Sequence, residues 1–195
     1  MKKPITEINA VAAIVDSIFQ QIDDHWAKIW EPVNESLQQI LATAPSPDFV
    51  KFNYSLAALS INIRSSFDLF PRPQAERLFT MVQNLLLKQL GSGDGFKAVQ
   101  NSIGKYIEAY NNGILNIRNP LHDVATLLYY KIGLKNTELT IADESYYVPE
   151  PKIVDYLSNS LLLFAGKWDS LLQRFEIQPA GGHPRKDASA SPGEQ

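Results

Sequence analysis

Apolar residues recur along this chain at intervals of three and four, the spacing that lines up side chains on one face of a helix. The pattern is densest from Asp48 to Phe70, DFVKFNYSLAALSINIRSSFDLF. One row there runs Phe52, Leu56, Leu59, Ile63, Phe67, Phe70, with gaps of 4, 3, 4, 4 and 3. A second row runs Val50, Tyr54, Ala57, Ile61. A surface helix needs one such stripe, whereas two require neighbours on both sides. The pattern predicts a central helix around which the other segments pack.

The same spacing predicts the companions. Ile8, Val11, Val15, Ile18, Ile22, Trp26 and Ile29 form one stripe, giving a first helix from about Pro4 to Glu31. Pro32 ends or kinks it, because proline has no amide hydrogen and clashes with the preceding turn. A short continuation spans Val33 to Ala42, and APSP at 44–47 breaks the chain, with Asp48 placed to cap the central helix. Phe70-Pro71-Arg72-Pro73 ends that helix, and another starts near Pro73 and stops at Gly91. After the GSGDG link comes a helix capped by Asp94, carrying Phe96, Val99, Ile103, Tyr106, Tyr110 and Ile114. Asn119-Pro120 restarts a helix that ends at Gly133. Residues 135–149 form the longest irregular stretch, with ELTI at 138–141 its one alternating piece. Pro151 opens a last long helix through Val154, Leu157, Leu161, Phe164, Trp168, Leu171 and Phe175. Its gaps of 3, 4, 3, 4, 3 and 4 suit near-antiparallel bundle packing. The expected fold is all-α: a single up-and-down-type bundle of about six helices, with a long loop before the last one. The domain spans 1–177, and 178–195 reads as a disordered tail.

Composition narrows the function classes. The chain's 195 residues are 45% apolar and 20% charged, enough for one domain with a sizeable core. A net charge of −3 argues against unaided binding to nucleic acid or an anionic membrane, though it leaves room for a small local basic patch, and no DNA-groove reader is expected. The absence of cysteine removes disulfides, thiolate metal sites and thiol nucleophiles, and suits a reducing compartment. Glu7, Asn9 and Asp16 interrupt the N-terminal apolar residues, so a signal peptide is not expected. No run approaches the roughly 18 apolar residues of a membrane span, and a cytoplasmic protein is the expectation.

Among polar residues the compact group is Arg118, Asn119, His122 and Asp123, in ILNIRNPLHDVATLLYY. Capping alone explains much of it: Asn119 caps, Pro120 is the first helical residue, and Asp123 meets the positive end of the helix dipole. The Arg-Asn…His order in a helical domain also resembles the HEPN family, whose motif is Arg, usually Asn, three more residues, then His. Here two residues, Pro120 and Leu121, separate Asn119 from His122, one fewer than in the family. The resemblance implies a metal-independent endoribonuclease acting as a dimer, with Arg118, Asn119 and His122 as catalytic residues. A histidine near neutrality can take the proton of a ribose 2′-hydroxyl, and an arginine can stabilise charge developing on phosphate. Arg64, Arg72 and Arg77 offer a basic edge for RNA, or simply a solvated charged face.

Other chemistries find less. A His-Asp metal site would draw on His122 and Asp123, His25 with Asp23 or Asp24, and Asp143 or Asp155. Only three histidines exist, and His183 is in the tail, so no metal is expected. GSGDG lacks the phosphate-loop pattern and no GxSxG elbow occurs, so no cofactor is expected either. Tyr146 and Tyr147 lie in the long loop and must cover either the domain's own core or a partner. The first reading of function is therefore a helical interaction or regulatory module, with a protein partner or self-association. The alternatives are the HEPN-like ribonuclease, or an inactive relative of it, and a bundle that binds a small ligand among its aromatic residues.

Overall fold

The computed structural model describes residues 2–40, 45–91, 93–112, 119–141 and 144–179. Among them the chain forms seven helices and four short strands, in the order β1 (Lys3–Thr6), α1 (Glu7–Ile40), α2 (Pro47–Leu69), α3 (Arg72–Leu90), α4 (Asp94–Asn112), α5 (Pro120–Lys131), β2 (Thr137–Ile141), β3 (Glu144–Val148), α6 (Pro151–Leu162), α7 (Lys167–Arg174) and β4 (Phe175–Gln178). The fold is an all-α bundle, as the apolar periodicity requires. No helix among the described residues is long and apolar enough to cross a membrane.

Helix α2 is its axis. It packs against α1, α3, α4, α5 and α7, and every residue from Asn53 to Ile63 is buried. Both predicted rows contribute: Leu56, Leu59 and Ile63 from one, Val50, Tyr54, Ala57 and Ile61 from the other. Burying each Leu or Ile contributes roughly 1.5–3 kcal/mol. Two members of the long row are open, Phe52 at 43% and Phe67 at 37% exposed. The start of α2 corrects the expected cap: Ser46, not Asp48, is the N-cap, its Oγ accepting the Phe49 amide at 3.2 Å. Pro47 then fills the first helical position, where its missing N–H costs nothing.

Polar residues inside α2 are accommodated by its own backbone. The Ser60 and Asn62 side chains donate to the carbonyls of Leu56 and Ala58, four residues back. Two bonds leave the helix: Tyr54 Oη donates to Ser160 Oγ at 3.0 Å, and Asn62 Nδ2 to the Phe164 carbonyl at 2.8 Å. The Trp168 indole N–H returns one to the Asn62 carbonyl at 3.0 Å. These bonds dock α6, α7 and the turn between them onto α2.

Five sequence-based expectations are corrected. The first helix begins at Glu7, because Lys3–Thr6 pairs in parallel with Phe175–Gln178 as a two-stranded ribbon. The last described segment is therefore part of the fold through Gln178, while residues 180–195 lie outside the described residues. Pro32 does not end the first helix: α1 continues to Ile40 and absorbs the separate 33–42 piece as far as that residue. Proline at 32 leaves the Lys28 carbonyl without its helical donor, and the Tyr156 hydroxyl of α6 supplies one at 2.6 Å. The final long helix is two: α6 stops at Leu162, and Gly166, at φ 73°, turns the chain before α7. The long loop before it is an antiparallel hairpin, with Thr137 opposite Val148 and Ile141 opposite Glu144.

Candidate functional site

The start of α5 carries the chemistry singled out in the sequence. Asn119 is extended (φ −126°, ψ 96°), and its Oδ1 accepts from the amides of Leu121 at 3.1 Å and His122 at 3.4 Å. Its carbonyl accepts from the His122 and Asp123 amides. Asn119 is therefore engaged as an N-cap, with Pro120 in the first turn.

His122 faces α6. Its Nε2 lies 3.3 Å from Asp155 Oδ1, and its side chain is 19% exposed against 65% for Asp155. Nδ1 is buried and finds no hydrogen-bond partner among the described residues. The carboxylate thus reaches the ring from the wet side, and the unengaged nitrogen points inward. A histidine acting as base requires the reverse order, with its free nitrogen open to substrate. Arg118, the third member of the expected catalytic set, lies outside the described residues. Asp123 is 1% exposed, in the first turn of α5.

Of the remaining candidates, His25, Asp23 and the three arginines are engaged in structural contacts. His25 Nδ1 meets the Gln21 carbonyl of its own helix at 2.9 Å. Asp23 pairs with Lys51 at 2.6 Å. Among the described residues no group of three or more metal-ligating side chains converges; Asp143 lies outside them. The arginines offered as a basic edge each meet a carboxylate: Arg64 with Asp68 at 2.7 Å, Arg72 with Glu76 at 2.9 Å, Arg77 with Glu7 at 2.7 Å. Glu7 itself is 1% exposed, and both its oxygens accept from Arg77, tying the start of α1 to α3.

A second surface is built at the other end of α5, where the sequence shows only Tyr146 and Tyr147 in an irregular stretch. Tyr129 Oη donates to the Lys135 carbonyl at 2.6 Å and accepts from the Glu150 amide at 3.2 Å, so one hydroxyl holds the chain on either side of the hairpin. Burial pushes the Tyr129 phenol above the usual range, and it stays a neutral donor. Tyr130 Oη donates to Asn136 Oδ1 at 2.7 Å, and Asn136 Nδ2 donates to the Tyr147 carbonyl at 3.2 Å. The hairpin is thus tied to α5 by hydrogen bonds, yet Tyr147 is 68% and Tyr146 45% exposed. Alternation along β3 sends these two side chains to opposite faces. Among the described residues the sheet has two strands, so the outer edge of each is open. Neither tyrosine is buried in this chain's core. Tyr129 and Asn136, which set the hairpin's position, carry no signal in the sequence beyond their type.

No family model, curated protein or solved structure matches the chain, so the likeness to HEPN domains rests on the residues quoted from the sequence.

Proposed function

We propose that the protein is a helical interaction module that self-associates through the β2–β3 hairpin. The observation that carries this reading is a strand pair hydrogen-bonded to α5, with exposed tyrosines beside an edge that no described strand pairs. An unpaired strand presents a row of backbone donors and acceptors that another strand can satisfy. Two copies of β3 paired antiparallel about a two-fold axis complete the β3 edge of each copy with one self-complementary contact. Tyrosine suits such a contact, since it offers large area with few rotatable bonds and a hydroxyl for the wet rim.

Sedimentation velocity over a dilution series tests it. A monomer–dimer equilibrium is expected, and Tyr147→Ser weakens it about 30-fold, the loss expected for an interface tyrosine worth about 2 kcal/mol. The exposure of Tyr147 lets that variant keep its fold, which circular dichroism checks. A monomer at every concentration, or a dimer indifferent to the substitution, overturns the reading.

The alternative ribonuclease reading rests on the Arg-Asn…His order of residues 118–122. That reading expects RNA cleavage in the presence of a chelator, reduced about a hundredfold or more by His122→Ala. Cleavage that survives the substitution removes His122 from the mechanism.

A further inference from the structure

Where α2 emerges from the core, its first turns leave Phe49 47% and Phe52 43% exposed. Opposite them α4 presents Gly95, Ala98 and Ser102, and a groove of about 480 Å³ opens between the two helices. The small side chains on α4 are what leave room beside the phenyl rings, and the volume falls in the usual range for small-molecule sites. Lys131, in the last turn of α5, also lines it. Lys131 Nζ donates to Ser102 Oγ at 3.1 Å and lies 5.6 Å from the centre of the Tyr106 ring. Among the described residues no carboxylate pairs with it, and it is the one ionisable side chain of the lining.

A cation inside an apolar groove favours an anion that brings its own apolar body. We propose that this groove binds an aliphatic monocarboxylate, with the chain along Phe49 and Phe52 and the carboxylate on Lys131 Nζ. A single lysine matches a single negative charge, whereas a phosphate dianion is better met by a bidentate arginine or several donors. Burial, and secondarily the charge of Lys105, lower the Lys131 pKa; the opposite charge of an incoming carboxylate offsets both. The site is independent of the hairpin, so either proposal can fail without the other.

The test is calorimetric titration of the full chain with octanoate, decanoate and dodecanoate at monomeric concentrations, with the matching 1-alkanols alongside. Saturable binding at one site per chain is expected. Affinity should rise about fourfold per added methylene until the groove is filled. Carboxylates should bind at least tenfold more tightly than alkanols of equal length. Lys131→Met should erase that preference while the alkanols still bind, and Phe52→Ser should weaken both classes together. The proposal is overturned by absence of saturable binding, by uptake of many molecules per chain, by alkanols matching carboxylates in the native protein, or by Lys131→Met leaving the preference intact. The alkanol comparison needs no variant, so the outcome does not hang on whether Lys131→Met folds.

Discussion

Trp168→Ala is expected to cost about 3–5 kcal/mol of stability, the range for deleting a large buried aromatic. The side chain is 2% exposed and sits edge-on to Phe70, ring centres 5.2 Å apart. It is also the first apolar residue after the Gly166 turn, so it holds α7 to the C-terminal end of α2 as well as filling space. At the usual conversion for a chain of this size the melting temperature drops by about 6–20 °C. Trp168→Phe separates the two contributions: it keeps most of the packing and loses the N–H donated to the Asn62 carbonyl, for about 1 kcal/mol. Urea unfolding followed by far-ultraviolet circular dichroism measures both. An alanine variant within about 1 kcal/mol of the native protein would mean that α7 is not held by this ring.

The contrast between Phe164 and Trp168 also shows what a repeat of apolar residues can convey. The 3-and-4 spacing runs unbroken through both, and both are buried, yet a turn lies between them. Periodicity reports which side chains want the core, and a compact turn returns the chain to the core as well as a helix does. The local signal was Gly166, whose φ of 73° suits a residue without a Cβ. Pro32 errs in the other direction. The rule that proline breaks helices is local, and the bond that offsets it comes from Tyr156, 124 residues later in the chain. In the hairpin, ELTI is legible by alternation, while ESYYV reads as a loop until its partner is in place.

Site legibility follows the same division. The Asn119 cap and the first-turn position of Asp123 depend on neighbours in sequence, and both stand as expected. Asp155 was visible only as a spare acid for a metal, because nothing in a helical stripe says which residue of another helix it faces. Phe52 was assigned to the core by its row, and the structure places it on a groove wall, because periodicity does not say where a helix outruns its neighbours. Lys131 had no distinguishing mark in the sequence; its surroundings of Ser102, Tyr106 and an open apolar groove come from the packing of α4 against α5.

The most damaging single-atom-scale change expected in this protein is Asn62→Asp. Asn62 is 1% exposed at the middle of α2, and its amide nitrogen donates to both the Ala58 and Phe164 carbonyls. Aspartate is nearly the same shape but removes both donated protons and sets a carboxylate oxygen against two carbonyl oxygens. An uncompensated buried charge costs about 3–5 kcal/mol, and the group avoids part of this by staying protonated, so its folded pKa is raised. The sign of the pH dependence follows. The unfolded chain releases this proton near pH 4 and the folded one only at higher pH, so over that window the native state binds more protons and loses stability as pH rises. The variant should therefore lie closest to the native protein below about pH 4 and furthest from it at neutral pH. Asn62→Leu, which carries no charge, should be destabilised by about 1–3 kcal/mol through the abandoned Phe164 carbonyl, with no such pH dependence. Urea midpoints of the three proteins at acid and neutral pH decide the matter. A gap between Asn62→Asp and the native protein that stays constant with pH would show that residue 62 is hydrated in the folded state, and that α2 is not sealed where its burial is deepest.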